Sequence, residues 1–333
     1  MPHTRTNILS PQVERDLRAA MLETYFVGKW AAKDDCDGSR AEIYEHVRRR
    51  FDMVRNWFVP WVAHAVDLPR TRIVEIGCGT GSTTAALALE AAHVDAYDID
   101  GPSLAAARRR LDLLGVRNAT LHQHAPERLL STMLAEHPPG SVDMLLCFAV
   151  LEHCKHNERI DTLRTCWSML RPGGVLVIAD TPNLLTYWDA HTFHLPFFNQ
   201  LSVDLALAYA GRSQRGYIRD ALLGALAVSR QAGEEKLARL GRGVSYHEFE
   251  LALGDVGADI VGDGFDPEPV SFYGVNLETR ILFTYAKRKG LPIPPAFLRE
   301  TIDVILRKPG GADARRLRPR DLDAIVRPLV DPA

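Results

Sequence analysis

Three glycines at every second position, Gly77, Gly79 and Gly81, stand in the stretch "VEIGCGTGSTT" after a short apolar run. A strand that turns through glycines into a helix presents bare backbone N–H groups at the positive end of that helix, where a ligand can approach closely. The dinucleotide fingerprint would be GxGxxG, and here Ser82 stands where its last glycine would permit close packing of helix on strand, so the spacing argues against NAD. Histidines supply the other reactive groups: His153 in "AVLEHC", and His191 and His194 in the aromatic stretch "TYWDAHTFHLPFFN". An imidazole titrates near neutral pH, which suits it to accepting a proton. The HxxH spacing of His191 and His194, even with Asp189, His247 and Glu248 elsewhere, lacks a compact carboxylate motif, and no metal is expected.

Beyond the glycines, "VEIGCGTG" resembles the first motif of class I S-adenosylmethionine (SAM) dependent methyltransferases with a type 11/12-like core. The resemblance continues in order through "VDAYDID", "SVDMLLCFAVLEHC" and "LRPGGVLVIADTPN", covering about residues 73–183. It implies a cofactor site made by Glu75, Gly77, Cys78, Gly79, Gly81, Asp98, Ile99, His124, Ala125 and Phe148. Asp98, ending the second strand, would hold both ribose hydroxyls, since two carboxylate oxygens facing two vicinal hydroxyls form a bidentate bond. Its neighbours Asp95 and Asp100 are rivals, but alternation places Asp95 differently and Asp100 begins the next turn. Ile99 would pack on the adenine, and the backbone after Phe148 would pass the methionine moiety. Glu75 would support the SAM amino group or bond to the glycine loop. After the third strand "LHQHAPE" departs from the family's acidic residue, so an adenine contact there uses backbone groups, the His124 side chain, or neither. Cys78 is a small filler within the loop.

SAM carries its methyl on a sulfonium, so such a protein must align an acceptor behind the methyl and manage the acceptor's proton. His153 is the first candidate base; the alternative is that Glu152 and His153 cap the next helix or bind loop backbone. His191 and His194 are further candidates, because ligands of doubly wound sheets sit beyond the carboxyl ends of the strands. Tyr187, Trp188 and Phe197 would wall a flat or apolar acceptor or else form the insert's own core. Tyr25, Trp30, Tyr44 and Arg50 would line the pocket from an N-terminal lid, or simply pack its helices.

These residues need a scaffold, and the pattern of the chain supplies one. Helical periodicity up to about residue 68 gives way to short apolar strands alternating with helices, the pattern of an α/β, doubly wound, mostly parallel Rossmann-like sheet. The expected organisation is a helical lid over 1–70, a methyltransferase domain over 71–290 with a helical insertion at about 184–243, and a C-terminal appendage over 291–333. Within it, Ser39 is an expected N-cap, and "ADIVGDG" and "ETRILFTYAKR" are expected to be the last strands.

With 333 residues, 46% of them hydrophobic, the chain can bury a large core, and its net charge of −2 provides no general attraction to nucleic acid or anionic membrane. No "NPPY" or "DPPY" sequence follows the fourth strand, which disfavours DNA adenine methylation. Five scattered cysteines without a CxxC pair, no export signal and no apolar run of bilayer length fit a cytoplasmic protein without a membrane span. The expected partner is a small-molecule methyl acceptor, with no nucleic acid. A SAM-binding subunit without turnover, serving a protein partner, would carry the same motifs and differ only in catalysis.

Overall fold

In the computed structural model, residues 9–27, 37–264 and 277–310 are described; Trp30, Cys36 and the "ARRLRPR" run of the tail lie outside them. Seven strands form one sheet: β1 (Arg72–Ile76), β2 (His93–Asp98), β3 (Ala119–Gln123), β4 (Val142–Phe148), β5 (Leu170–Pro182), β6 (Ile260–Asp263) and β7 (Thr301–Arg307). Their order is β3-β2-β1-β4-β5-β7-β6. β1 lies parallel to both β2 and β4, β2 is parallel to β3, and β6 and β7 are antiparallel. The central strands bury nearly every residue, apolar runs such as Ile73, Val74 and Ile76 being what a parallel strand covered on both faces requires. The expected doubly wound, mostly parallel α/β fold is therefore present. No helix among the described residues is long and apolar enough to cross a membrane.

The described residues divide into two compact units, one from within 1–148 and 168–177 and the other from within 149–167, 178–264 and 277–310. In the first, Ser10 caps the helix Pro11–Glu23 by accepting from the Val13 N–H. The next helix begins at Asp37, two residues before the expected cap Ser39, and continues through π turns at Glu45–Arg49 and Val54–Phe58 to Val59–Ala63. Arg110, fully buried on the helix Gly101–Leu113, fastens the N-terminal helices to the glycine loop. Its guanidinium donates to the Thr80 carbonyl at 2.9 Å, to the Val47 carbonyl at 3.3 Å and to the His46 carbonyl.

In the second unit the insertion has its own apolar core, in which Phe193, Phe198, Leu207, Ile218, Leu222 and Leu237 pack together. The helix Tyr246–Leu253 opens on a capping box between Ser245 and Glu248. Two expectations fail at the C-terminal end. "ETRILFTYAKR" belongs to a helix, Leu277–Lys289, whose buried Thr279 and Ala286 stand seven residues apart, two helical turns. The strand that takes its place in the sheet is β7, inside the segment expected to be a surface appendage after residue 290. The run Ile302–Leu306 is buried without alternation, as an inner strand must be, and Asp303 within it is satisfied by the Asp180 N–H at 2.7 Å and the Thr301 hydroxyl at 2.8 Å.

Candidate functional site

The first unit holds the glycine loop. Gly77, Gly79 and Gly81 all adopt left-handed backbone, with φ of 72°, 51° and 74°. The reasons differ along the loop. A Cβ at Gly81 would lie 2.8 Å from the Ala107 Cβ and 3.0 Å from its Cα, so the loop and the helix Gly101–Leu113 approach closely there; a Cβ at Gly79 would meet nothing within 4 Å, so only the backbone conformation demands glycine. The turn is fixed to β2 by the Gly77 and Cys78 N–H groups, which donate to the Tyr97 carbonyl at 2.8 and 3.2 Å.

Asp98, buried at the end of β2, accepts the Gly79 N–H at 2.7 Å on Oδ2 and the Asp100 N–H at 2.9 Å on Oδ1. A carboxylate has about four lone-pair sites, so both oxygens retain capacity for a diol. Asp100 caps the following helix by accepting from Ser103, and Asp95 bonds to His93 and His122, so neither rival stands where Asp98 does. Ile99 is exposed and offers its side chain at the surface, whereas Phe148 is buried edge-on against Phe58 at 5.3 Å, with the Arg50 guanidinium 5.6 Å from its ring centre. Ala125 is exposed, and the His124 N–H donates to the Asp98 carbonyl at 3.3 Å. The His124 ring, however, stacks 6.0 Å from that of Tyr97.

Glu75 is buried beneath this loop and accepts the Thr84 hydroxyl at 2.6 Å. Burial pushes its carboxyl up to about 7, against the opposing Thr84 bond and with help from the Asp98 charge. Burial, with the Glu75 and Asp98 charges, also raises the Cys78 thiol, which keeps it protonated.

The second unit brings His153 and His191 together around Glu152. The rings lie 5.6 Å apart, and their Nε2 atoms stand 3.8 and 3.7 Å from Glu152 Oε1, a carboxylate with no solvent exposure. The other ring nitrogens define the tautomers. His153 Nδ1 is 3.0 Å from the Arg239 carbonyl, which only accepts, so Nδ1 carries the hydrogen. His191 Nδ1 is 2.8 Å from the Thr192 hydroxyl, which itself donates to the Gly241 carbonyl at 2.8 Å, so that Nδ1 is also the donor. In the neutral rings both Nε2 lone pairs face the carboxylate. Burial lowers the His153 pKa below its ordinary value; the Arg239 carbonyl opposes this, and the Arg159 and Arg239 charges add to it.

Other expected residues take structural places. His194 is exposed at a left-handed φ of 51° and lies outside this cluster. Asp189 closes a turn by accepting from the N–H groups of His191, Thr192 and Phe193, which also orients His191. His247 bonds to Ser245, and Glu248 to Arg159 and His156. Trp188 and Phe197 are exposed, Phe197 packing on Tyr187 at 5.7 Å, while Phe193 and Phe198 belong to the insert's core.

Two arginines that sequence reasoning passed over hold the loops in place. Arg159 donates to the carbonyls of Leu151, Cys154 and Glu152 at 2.8, 2.9 and 3.3 Å, fixing the turn that bears His153. Arg110 does the same for the glycine loop. The signal was available for Arg110, a charge amid the buried face formed by Leu104, Ala107 and Leu111. Nothing comparable marks Arg159, whose carbonyl partners come from distant segments such as Arg242 and Gly243.

Comparison with known proteins bears on the same segments. Residues 74–176 match a family described as a methyltransferase domain. A ubiquinone biosynthesis O-methyltransferase of Xanthomonas campestris pv. campestris (strain B100) is 29% identical over 168 residues, 50% of this chain and 60% of that protein. The protein of the same description from Aromatoleum aromaticum is 29% identical over 182 residues, 54% of this chain and 71% of its own length. A solved S-adenosylmethionine-dependent methyltransferase from Clostridium acetobutylicum aligns with a TM-score of 0.37 at 16% identity, covering 47% of this chain and 62% of that one. The segment that matches the methyltransferase domain, residues 74–176, is the one that carries the left-handed glycines and Asp98.

Proposed function

We propose that the chain is an enzyme that transfers the methyl group of SAM to a small-molecule acceptor, with S-adenosylhomocysteine as product. The observation that carries this is the bond between Asp98 and the Gly79 N–H, which sets a diol-binding carboxylate against a loop of left-handed glycines. Asp98 holds the ribose, with Ile99 on the adenine and Ala125 and the His124 backbone beside it. Gly77, Cys78, Gly79 and Gly81 give the close backbone, Glu75 attracts the cationic methionine end, and the chain after Phe148 passes the methyl-bearing side. Oxygen is the favoured target, because the relatives above are described as O-methyltransferases.

In the reaction the methyl leaves sulfur as the acceptor oxygen attacks in line, and the oxygen's proton passes to a base. His153 is that base: its Nδ1 is anchored on a carbonyl, its Nε2 lone pair is available, and burial keeps the ring neutral at pH 7. His191 shares Glu152 with it and is the second candidate; exposed His194 is the third. The lid over 1–70 closes the cofactor side, and the location is the cytoplasm, in keeping with the thiols of Cys78 and Cys166.

Calorimetry with SAM and S-adenosylhomocysteine, followed by turnover on a panel of phenols, carboxylates and amines, tests the proposal. Binding of SAM with S-adenosylhomocysteine formed on one acceptor class supports it; failure to bind SAM defeats it. Tight SAM binding with no turnover on any class would instead mark a non-catalytic subunit.

A further inference from the structure

On the β2–β3 edge of the sheet, a compact group of ligand-type side chains has no role in the reaction above. His122 lies in β3 and His124 directly follows its last residue, Gln123, and the two rings stack with centres 6.5 Å apart, on one face. Tyr97 is the register partner of His122, and the two rings stack at 4.3 Å. The helix Pro126–Glu136 ends over this face, and one ligand atom from each of His122, His124 and Glu136 lies within 4.8 Å of the others.

The bonds around these three groups are arranged as outer partners of metal ligands are. His122 Nε2 is 3.3 Å from Asp95 Oδ1, an oxygen that only accepts, so Nε2 carries the hydrogen and Nδ1 keeps its lone pair. That Nδ1 faces Glu136 Oε2 at 3.7 Å. A carboxylate behind a histidine whose other nitrogen is free is the arrangement that orients ligating imidazoles. Glu136 in turn accepts the Tyr97 hydroxyl, itself 2.9 Å from His137 Nε2. His124 Nε2 is buried and has no hydrogen-bond partner among the described residues.

We propose that His122 Nδ1, His124 Nε2 and Glu136 bind a divalent ion of the zinc class, pinning the edge strand β3 to the end of the helix Pro126–Glu136. Two imidazoles and one carboxylate suit zinc, with a water completing the tetrahedron. Metal–ligand lengths of about 2.0–2.1 Å place ligand atoms roughly 3.3 Å apart. The present separations, 3.7 Å between His122 Nδ1 and Glu136 Oε2 and at most 4.8 Å across the group, would have to shorten by up to about 1.5 Å on binding, which the exposed Glu136 side chain has room to allow. The ion would give His124 Nε2 its partner and balance the Glu136 charge.

The test is a zinc titration of the purified full chain, stripped with a chelator and followed by competition with a chromogenic indicator, alongside metal analysis of the protein as isolated. The expected result is one zinc per chain, with affinity at least tenfold weaker in both His124→Gln and Glu136→Gln. Glu136 is exposed, so its variant retains the fold even where a buried histidine variant does not. The rival triad of Glu152, His153 and His191 is separated by His191→Gln, which should leave zinc binding intact. Failure of the wild-type chain to bind zinc overturns the proposal. So does retention of full affinity in Glu136→Gln, or loss in His191→Gln alone.

Discussion

Asp98 Oδ2 accepts the backbone N–H of Gly79 at 2.7 Å, so the carboxylate proposed to hold the ribose is also a tie within its own binding loop. Its other oxygen takes the Asp100 N–H at 2.9 Å, which starts the next helix in register. Removing the side chain therefore costs ligand affinity and loop order together. Asp98→Ala is expected to weaken SAM binding by about 1–3 kcal/mol, the range for a charged hydrogen-bond partner. Calorimetry checks this, and an unchanged dissociation constant would remove Asp98 from the ribose.

Gly79 and Gly81 separate two costs of a methyl group. At Gly81 an added Cβ adds overpacking against Ala107 to left-handed strain, so Gly81→Ala should destabilise the fold by about 2–4 kcal/mol. At Gly79 the space is open, and Gly79→Ala should cost only the backbone term of about 1–2 kcal/mol while interfering with the cofactor. Denaturant midpoints for the two variants, measured without cofactor, should rank Gly81→Ala clearly below Gly79→Ala.

Much of this was legible in the sequence because it is local. The glycine spacing, the acidic end of β2 and the alternation of apolar strands with helices each depend on neighbouring residues, and β1, β2 and β4 overlap the quoted stretches "VEIGCGTG", "VDAYDID" and "SVDMLLCFAVLEHC". The C-terminal strand was hidden because Asp303 interrupts its apolar run and prolines precede it; the distant Asp180 N–H, together with the Thr301 hydroxyl, makes that aspartate tolerable. The meeting of His153 with His191 was hidden for the same reason: it depends on Asp189 turning the chain and on Arg159 gathering carbonyls from separate segments. Likewise, His122 and His124 read as part of an edge strand until the helix Pro126–Glu136 brings Glu136 over them.

If His153 is the base, its replacement should act on turnover and not on cofactor affinity. His153→Ala is expected to lower the rate by about 10²–10⁴, the usual contribution of a positioned acid or base. Burial lowers the imidazole pKa, so the wild-type rate should rise with pH and reach its plateau below the ordinary imidazole range near 6.5. A pH–rate profile read beside SAM affinity decides the matter. A wild-type-like rate in the variant at neutral pH would transfer the role to His191.

Glu75 ties the pH dependence of stability to that of cofactor binding. Its carboxyl is raised from an ordinary value of 4.5 to about 7, so between these values the folded chain binds more protons than the unfolded one, and stability falls as pH rises. The full penalty, on the order of 3–4 kcal/mol, is present above pH 7 and absent below 4.5. Glu75→Gln keeps an acceptor for the Thr84 hydroxyl and carries no charge, so the cofactor-free variant should be more stable than the wild type at pH 8 and no more stable at pH 4.5. SAM reverses the preference, because its sulfonium and ammonium favour the ionised carboxylate. Binding at pH 7 should therefore release a fraction of a proton, seen as a buffer-dependent calorimetric enthalpy, and should weaken as pH falls below 7. Both effects should disappear in Glu75→Gln, whose SAM affinity should be lower than that of the wild type at pH 8 and approach it as the pH falls and Glu75 becomes protonated. If buffer ionisation leaves the wild-type enthalpy unchanged, Glu75 does not face the cationic end of the cofactor.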